Sequence, residues 1–461
     1  MSKTTMNDVV ALAKRRGFVF PGSEIYGGLA NTYDFGPLGV ELLRNILNQW
    51  WDFFVTQRND MYGLDTSILM SPKVWDASGH TASFTDALID CKSCKTRTRA
   101  DHLIEDFTEK KGQEEKVEGK TPEELTEMIN DLEIPCASCG KRDWTEVRSF
   151  NLLFETNIGI VEKSQSLAYL RGEIAQGMFV NFKNVLNTMR PKLPFGIAQT
   201  GKACRNAITL GNFIFRTLEF NLAEFEYFFD PEKENWEELF AKWQSVMMEF
   251  VMSMGLAEDK LRWRTHTDDE RSHYSTRTED IDYEFPFGFK EMFGLAYRTD
   301  FDLKNHMDKS GVDLRYTDPY DPQRKFIPHV IEPTFGINRI FLAILAQSYT
   351  TEGDRTYLKL PNKLAPYKVA VFPLVKNKPE IVGKAQDVFE VLSKKTATTW
   401  DDRGNIGKRY MAQDEIGTPF CVTVDYQTLE DGTVTLRDRD NTEQERLTIE
   451  EVEARIASML S

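Results

Sequence analysis

The chain has 461 residues, which is enough for two or three domains, each with its own core. Hydrophobic residues make up 41% and charged residues 28% of it, fractions that exclude a disordered or fibrous protein. The formal net charge of −15 excludes a protein that coats nucleic acid through a dominant basic surface, although a local basic face is still allowed.

No stretch of the sequence approaches eighteen consecutive apolar residues, so we expect no membrane span and no membrane partner. The first residues carry Lys and Arg without a sustained apolar run, so we expect no secretory signal peptide. These features predict a cytoplasmic protein. In such a protein, the six cysteines do not form a disulfide framework.

Residues 1–90 mix helix and strand signals, and we expect them to form the first part of the main domain. A short helix is predicted, with Asn7 or Asp8 as its N-cap. A longer helix, in which apolar residues recur at helical spacing, is predicted to begin at Pro37. An extended run over 61–70 follows it.

Residues 91–145 have the character of an inserted subdomain that resembles a zinc knuckle. Cys91 and Cys94 form one close pair, and Cys136 and Cys139 form a second. Four thiolates in two C-x-x-C pairs can surround Zn²⁺ tetrahedrally, although the gap between the pairs exceeds the usual ribbon spacing. We expect a structural zinc, and four free thiols are the alternative.

A helix is predicted inside this inserted segment. Thr121 can serve as its N-cap, Pro122 as its first residue and Glu124 as the partner in a capping box. Together with the polar residues around it, this helix indicates a subdomain with a small fold of its own.

Residues 146–350 carry aromatic residues in alternating segments, which is typical of antiparallel strands with one buried face. A helix rich in Trp and Met is predicted over 234–255, and an apolar helix follows Arg339. These signals predict an α+β domain built on an antiparallel sheet. Beyond a polar connector, residues 365–461 alternate strands and helices, which predicts a separate α/β domain.

Several common motifs of nucleotide-binding proteins and hydrolases are missing from the sequence. These are the Walker A pattern, the Rossmann glycine fingerprint, the zincin H-E-x-x-H and the nucleophile elbow. If the chain binds ATP, a different architecture must hold the nucleotide. Two segments that carry arginines are the candidates.

The first candidate segment lies between two strand-like runs and is predicted to form a hairpin. It contains Arg205, Arg216 and Phe220. A guanidinium suits an α-phosphate because its planar fork offers paired donors and keeps its charge. An aromatic ring can stack on a purine. Surface arginines and core phenylalanines of an ordinary sheet are the alternative interpretation.

The second candidate segment, Ile331–Arg339, leads from a strand into the apolar helix. Gly336 is predicted to permit a tight turn between the two elements. Arg339 then falls in the first helical turn, where the helix dipole also favours a phosphate. An arginine on a solvated helix face is the alternative interpretation.

These two segments resemble motifs 2 and 3 of the class II aminoacyl-tRNA synthetases, and the resemblance extends over nearly the whole chain. The run LAKRRGFVFPGSEIYGGLANTYDFGPLGVELL resembles the homodimeric bacterial and eukaryotic glycyl-tRNA synthetases. So do shorter segments in the same order: RADHLIE, AQGMFVNFKNVL, SHYS, FGLAYRTDFDL and VIEP. The resemblance implies an antiparallel sheet flanked by helices, an inserted subdomain and a C-terminal α/β anticodon-binding domain.

The resemblance also implies roles for particular residues. Arg205 and Arg339 would be catalytic, the first on the ATP α-phosphate and the second, with Arg216, on the outer phosphates. The implied ATP site comprises Arg205, Asn206, Ala207, Phe215, Arg216, Phe220, Glu291, Met292, Gly336 and Arg339. The implied glycine site comprises Arg99, Glu173, Phe220, Glu224, Glu332, Thr334 and Gly336.

The implied reaction joins glycine to tRNA(Gly). The glycine carboxylate attacks the α-phosphorus of ATP, pyrophosphate leaves, and arginines with Mg²⁺ neutralise the developing charge. The terminal ribose hydroxyl of the tRNA then attacks the adenylate carbonyl, so no protein nucleophile is needed. Carboxylates bind the ammonium strongly and close walls reject alanine, so an editing domain is not expected.

Several positions depart from the family pattern. Ala207 stands where motif 2 usually has glutamate, and Leu218 stands where it has arginine. Asn338 replaces a common acid of motif 3, Thr334 replaces a serine, and Gly172 replaces a proline. The changes spare the three arginines and the glutamates of the predicted site, so we expect a divergent but working enzyme.

Two other functions are open on the sequence alone. A relative of this fold serves as an accessory subunit in DNA replication without catalytic residues. Other class II synthetases charge threonine, proline or serine. The arginines and glutamates that the sequence retains favour a glycine-specific enzyme over both.

Three further features each have two interpretations. The helix after Pro37 and the extended run correspond to motif 1, which predicts a homodimer, but the helix face could instead pack within the monomer. His266, Glu270 and His273 have metal-like spacing, but we interpret them as polar residues near the site. A charged cluster of the C-terminal domain is either a solvated loop or an anticodon-facing surface: Asp401, Asp402, Arg403, Lys408 and Arg409.

Overall fold

The computed structural model describes residues 4–113, 115, 117, 119–160, 166–207, 211–267, 271 and 274–460. Among these residues, no helix combines the length and apolarity that crossing a membrane requires. The helices are α1 (Met6–Arg15), α2 (Pro37–Trp51), α3 (Pro72–Ala77), α4 (His80–Ser83), α5 (Ala100–Glu109), α6 (Pro122–Asp131), α7 (Ala175–Met189), α8 (Trp236–Ser253), α9 (Phe301–Ser310), α10 (Ile337–Ser348), α11 (Pro379–Ser393), α12 (Ile406–Ile416), α13 (Tyr426–Asp431) and α14 (Ile449–Leu460).

The strands belong to one large sheet, one C-terminal sheet and several small ones. They are β1 (Val19–Pro21), β2 (Tyr33–Phe35), β3 (Met61–Gly63), β4 (Leu69–Met70), β5 (Thr85–Asp90), β6 (Arg97–Arg99), β7 (Arg148–Asn151), β8 (Phe154–Ile158), β9 (Ser166–Leu170), β10 (Phe195–Cys204), β11 (Glu219–Phe229), β12 (Leu261–Thr265), β13 (Arg277–Phe285), β14 (Gly288–Thr299), β15 (Tyr316–Thr317), β16 (Lys325–Phe326), β17 (His329–Gly336), β18 (Tyr349–Glu352), β19 (Arg355–Leu358), β20 (Val369–Pro373), β21 (Thr398–Trp400), β22 (Phe420–Val424), β23 (Val434–Asp438) and β24 (Gln444–Leu447).

A seven-stranded sheet forms the centre of the main domain, with the strand order β12-β13-β14-β17-β11-β10-β3. Neighbouring strands pair antiparallel throughout, except for β10 and β3, which are parallel. Helices pack on both faces of this sheet. The structure thereby confirms the predicted α+β fold with an antiparallel sheet.

The two faces of the central sheet differ in polarity, and β11 shows why. Phe225 and Tyr227 pack against Trp243 of α8 in the apolar layer, which α2 and α10 complete. Burying one such aromatic side chain contributes about 1.5–3 kcal/mol. Successive side chains of a strand face opposite sides, so Glu224 and Glu226 lie on the other face, beside α7 and α9.

The inserted segment folds around its own small core. β5 pairs with β6 and β7, and α5 and α6 pack Ile104, Leu125 and Ile129 beside them. As predicted, α6 begins after Thr121 with a capping box to Glu124. The two ends of the segment lie close together, because Cys91 and Trp144 form an antiparallel bridge.

The C-terminal sheet has the order β21-β20-β22-β23-β24, and α11 and α14 pack on it around a separate core. Two arginines join this domain to the hairpin β18–β19 and to the segment that follows it. Arg439 donates hydrogen bonds to the carbonyl oxygens of Leu360 and Gly417, and Arg355 donates one to Asp414. These bonds hold the domain against the rest of the chain.

The structure corrects several local predictions. α1 begins earlier than expected because Thr5 is its N-cap and Asp8 closes the capping box. The extended run 61–70 forms two short strands, β3 and β4, which belong to different sheets. The polar connector forms the hairpin β18–β19.

Candidate active site

A cavity of about 240 Å³ opens on the polar face of the central sheet. It contains most of the site residues predicted from the sequence: Arg99, Arg205, Ala207, Phe215, Arg216, Phe220, Glu291, Met292, Thr334, Gly336 and Arg339. Sequence reasoning missed other residues that line it: Asp86, Leu152, Thr217, Asn221, Leu222, Gly294 and Asn338. The predicted residues Asn206, Glu173, Glu224 and Glu332 do not line the cavity.

Arg205 directly follows β10, and its guanidinium lies between two aromatic rings. It stands 5.0 Å from the centre of the Phe84 ring and 5.4 Å from that of Phe220. Its Nε donates a hydrogen bond to the carbonyl oxygen of Gly172 at 2.8 Å. No carboxylate of the described residues forms an ion pair with Arg205, so its terminal N–H groups are available to an anion.

Arg339 lies in the first turn of α10, as predicted, and belongs to a cluster of guanidinium groups. It pairs with the Glu291 carboxylate at 2.8 Å and lies 4.6 Å from the centre of the Phe215 ring. Burial lowers the pKa of Arg216, and the positive charges of Arg339 and Arg99 lower it further. A bound phosphate would relieve this repulsion.

Gly336 is required because a side chain would not fit at this position. The predicted reason, that the turn needs the backbone freedom of glycine, was wrong. Its φ of −74° is ordinary for any residue. A Cβ at this position would lie 2.8 Å from the carbonyl oxygen of Met292 and 3.2 Å from Cδ of Arg339. The glycine therefore lets β17 approach β14 beside the guanidinium.

Two departures from the family pattern have a structural account. Asn338 Oδ1 accepts hydrogen bonds from the backbone N–H and the side-chain amide of Asn221, at 3.1 and 3.0 Å. The neutral amide therefore ties α10 to β11. Ala207 lines the cavity without a polar group. Its neighbour Asn206 donates its backbone N–H to the carbonyl oxygen of Leu152, which anchors the β10–β11 connection to the turn between β7 and β8.

The carboxylates of the predicted glycine site lie beneath the cavity on the same face of the sheet. Thr334 connects the two regions, because it lines the cavity and its hydroxyl donates to Glu224 Oε1 at 2.7 Å. Glu224 Oε2 is buried and has no hydrogen-bond partner among the described residues. Burial raises the pKa of Glu224 well above its usual value, and the charge of Glu332 raises it further.

The other two glutamates are already partnered. Arg298 Nη1 donates to both carboxylate oxygens of Glu332, at 2.7 and 2.9 Å. Glu173 accepts a hydrogen bond from Gln176 at 3.0 Å, and His80 Nε2 lies 3.0 Å from its carboxylate. Among the three, Glu224 is therefore the one with a carboxylate oxygen left for a ligand.

Arg99 brings the inserted segment into the cavity wall. It precedes α5 and pairs with Asp86 at 2.9 Å and with Asp101. Because two carboxylates already neutralise this guanidinium, Arg99 has less capacity for an anion than Arg205.

The four cysteines of the inserted segment converge. Cys91 Sγ lies 3.7 Å from Cys139 Sγ, and Cys94 Sγ lies 3.6 Å from Cys136 Sγ. All four sulfur atoms lie within 4.8 Å of one another. A tetrahedral zinc with Zn–S bonds of about 2.3 Å separates its ligands by roughly 3.8 Å, so spacing and thiol chemistry both fit Zn²⁺.

The remaining predicted features lie outside the cavity. His266 Nε2 is 2.6 Å from Asp280, whereas Glu270 and His273 fall outside the described residues. In the C-terminal domain, Arg409 is buried and donates to backbone carbonyl oxygens, including that of Gly404. Arg409 therefore stabilises a loop and is not part of an exposed surface.

The antiparallel sheet, with two arginine-bearing segments that meet over one cavity, defines a class II aminoacyl-tRNA synthetase. Residues 114–152 match the family model "Glycyl-tRNA synthetase insertion domain 1", and residues 368–459 match "Anticodon binding domain". The chain belongs to the glycine–tRNA ligase family, as its similarity to curated relatives establishes.

Three of these relatives are each named "Glycine--tRNA ligase". The protein of Caldanaerobacter subterraneus subsp. tengcongensis is 51% identical, with 98% of this chain and 97% of the relative covered. That of Geobacillus thermodenitrificans is 51% identical, with 98% and 96% covered. That of Lysinibacillus sphaericus is 50% identical, and the whole of both chains is covered.

Proposed function

We propose that the protein is a glycine–tRNA ligase, which activates glycine with ATP and transfers the glycyl group to the 3′-terminal adenosine of tRNA(Gly). One observation carries the proposal. Arg205 and Arg216, which form no ion pair among the described residues, line the cavity, and Glu224 lies beneath it with a buried, unpartnered carboxylate oxygen. Membership of the glycine–tRNA ligase family supports it.

The arginine end of the cavity binds the nucleotide. Arg205 holds the α-phosphate, since its fixed guanidinium offers paired N–H donors. Arg216 and Arg339 hold the outer phosphates, and Mg²⁺ arrives with ATP as the substrate complex. The ring of Phe220 stacks on adenine. The ring of Phe215 contacts the Arg339 guanidinium and holds it in place.

The carboxylate end binds glycine through its ammonium group. Glu224 Oε2 accepts one N–H of the ammonium, and the Thr334 hydroxyl holds the other oxygen of Glu224 in place. Because these groups are buried, the side chain of a larger amino acid would have to displace packed residues. Charge therefore attracts the substrate, and the lack of space selects glycine.

The chemistry follows from this placement. A glycine carboxylate oxygen attacks the α-phosphorus, the bond to the bridging oxygen breaks, and pyrophosphate leaves. Arg205 stabilises the charge that develops on the α-phosphate. The 3′-terminal ribose hydroxyl of tRNA then attacks the carbonyl carbon of the adenylate, and AMP leaves.

Glycine-dependent exchange between ATP and pyrophosphate tests the proposal. We expect exchange with glycine and at most traces with alanine, serine, threonine or proline. Exchange with another amino acid but not with glycine would assign a different synthetase. No exchange with any of them would favour a binding protein that retains the fold alone.

We also propose that Cys91, Cys94, Cys136 and Cys139 hold a structural Zn²⁺, supported by the tetrahedral spacing of their sulfur atoms. The ion would fix the turn between β5 and β6 to the turn after α6. Elemental analysis after exhaustive dialysis should give one zinc per chain. A dialysed, active protein without zinc would refute this assignment.

A homodimer is a further proposal, but α2 alone does not support it. Leu42, Ile46 and Trp50 of α2 are fully buried within the monomer. Between β1 and β2, however, Ile25 and Tyr26 are 88% and 87% exposed, and large apolar side chains exposed together mark interaction surfaces. Sedimentation equilibrium at micromolar concentration should give twice the mass of the chain, and a monomer would contradict the proposal.

The same reasoning supports a domain division and a location. We propose a catalytic domain in two parts, 1–90 and 146–350, an inserted subdomain over 91–145 and an anticodon-binding domain over 365–461, since each unit has its own core. Four close cysteines without disulfides suit a reducing compartment, so we place the enzyme in the cytoplasm.

A further inference from the structure

Glu226 is a fully buried glutamate that none of the roles above uses. It follows Glu224 by two residues on β11, so the two carboxyl groups share one face of the sheet. Neither carboxylate oxygen of Glu226 has a hydrogen-bond partner among the described residues. A buried ionised carboxylate without a partner is strongly unfavourable, and such a group takes up a proton instead.

The cations near this pair are bound elsewhere. The charged groups that face Glu224 and Glu226 are Glu332 on β17, Arg298 on β14, Asp302 on α9, Glu173 before α7 and Arg171 after β9. Arg298 donates hydrogen bonds to Glu332 and Asp302, at 2.7–2.9 Å. Arg171 donates to the carbonyl oxygens of Thr66 and Lys202.

A second unpartnered group lies beside the pair. Gln199 of β10 stands directly opposite Glu224 in the strand register. It is fully buried, its Oε1 accepts a hydrogen bond from Thr66, and its Nε2 has no partner in the described part of the chain. Unpartnered donor and acceptor atoms, buried side by side, mark a place where a small polar ligand completes the hydrogen bonding.

We propose that Glu224 and Glu226 form a proton-exchanging pair, which holds a proton in the free enzyme and releases it to solvent when the ammonium of glycine binds. This inference rests on the proposed glycine-activating function and adds Glu226 to the site. The ammonium brings one positive charge and three N–H donors, so it replaces the proton in charge and in hydrogen bonding. The net charge beneath the cavity stays constant, and one proton leaves for each glycine bound.

The proposal predicts the direction in which pH changes the affinity for glycine. Burial raises the pKa of both glutamates well above the usual value, and repulsion by Glu332 raises it further. A carboxyl group of this kind is neutral below its pKa and ionised above it. Glycine binding therefore tightens as pH rises toward the pKa of the pair, and the Kd falls about tenfold per pH unit there.

The test is equilibrium dialysis of radiolabelled glycine with a non-hydrolysable ATP analogue present, over a series of pH values. For the wild-type enzyme we expect log Kd to fall with a slope of about −1 below the pKa of the pair, corresponding to one released proton. In Glu226→Gln, a neutral amide no longer opposes ionisation of Glu224, so the sloping part of the profile should move to lower pH than in the wild-type enzyme.

Glu279→Gln is the matched control, because Glu279 is also buried in the central sheet but is paired with Arg277. It should keep the wild-type slope. A flat wild-type profile would overturn the inference whether or not the variants fold. A Glu226→Gln enzyme with the wild-type slope would assign the proton to Glu224 alone and overturn the role of Glu226. Glycine-dependent pyrophosphate exchange alongside a flat profile would leave the proposed function standing.

Discussion

The arginine end of the cavity and the carboxylate end beneath it have opposite charges and differ in how those charges are compensated. At the arginine end, Arg205 has no carboxylate partner among the described residues and is held by aromatic rings and a carbonyl oxygen. At the carboxylate end, carboxyl groups outnumber the cations, and Arg298 is shared between Glu332 and Asp302. Each end therefore lacks the charge that its ligand would bring.

A buried charge cluster of the C-terminal domain does not have this imbalance. In the C-terminal domain, Asp414 is buried and receives hydrogen bonds from both Arg437 and Arg355. That cluster is complete and serves to join structural elements. Charged groups that lack a partner, more than the number of charges, therefore distinguish a ligand site from a structural network.

The largest expected effect on activity is at the arginine end of the cavity. Arg205→Ala should lower kcat for pyrophosphate exchange by about 10²–10³-fold, because it removes a donor that acts on the charge developing in the transition state. Arg315→Ala, which removes an exposed arginine paired with Asp313, should leave kcat unchanged. Equal activity of the two variants would remove Arg205 from the reaction.

The next largest expected effect on activity is at the carboxylate end. Glu224→Gln should raise the KM for glycine by about 100-fold, since the loss of a charged hydrogen bond is worth up to about 3 kcal/mol. The KM for ATP should change little. Glu219→Gln, an exposed position on the same strand, should match the wild type. A rise in the KM for ATP alone would reverse the assignment of the two ends.

Metal removal should destabilise the inserted segment, which contributes Arg99 to the cavity wall. Cys94→Ser should lower zinc content and reduce the melting temperature by several degrees, because the zinc would link two turns of the inserted segment. The control is Cys421→Ala, which changes an isolated buried cysteine in the C-terminal domain. Unchanged zinc content in Cys94→Ser would contradict the four-cysteine site.

The smallest expected effect distinguishes the roles of Phe220 and Phe84, whose rings both flank Arg205. Phe220→Leu should raise the KM for ATP by about tenfold or less, because a stacked ring contributes roughly 0.5–1.5 kcal/mol beyond its burial. Phe84→Leu should instead lower kcat, since Phe84 contacts Arg205 without lining the cavity. If both variants raised the KM for ATP equally, Phe220 would have no separate role with adenine.

How much could be predicted from the sequence differs between these features. Helix starts at Pro37 and Pro122 were predictable, because caps and apolar spacing are local signals. The sequence predicted one extended run where the structure has two strands, β3 and β4, in different sheets. No local signal reveals which sheet a short extended run joins. The space around Gly336 depends on Met292 of a strand distant in sequence, so the sequence could not supply its reason.

The same limit applies to the candidate site. Residue type could not distinguish Glu224 from Glu332, because the difference lies in Arg298, which folding brings to one of them. Glu226 was missed, although its spacing of two from Glu224 on a predicted strand places both on one face. Applied to every charged pair on a strand, that periodicity would have found it.

A crystal structure with a stable glycyl-adenylate analogue, glycyl sulfamoyl adenosine, would show whether one ligand occupies both ends of the site. We expect the sulfamoyl group within hydrogen-bond distance of Arg205, the adenine ring against Phe220, and the ammonium on Glu224. An analogue bound with its ammonium in solvent, or away from Arg205, would contradict the account of two oppositely charged ends that the substrates complete.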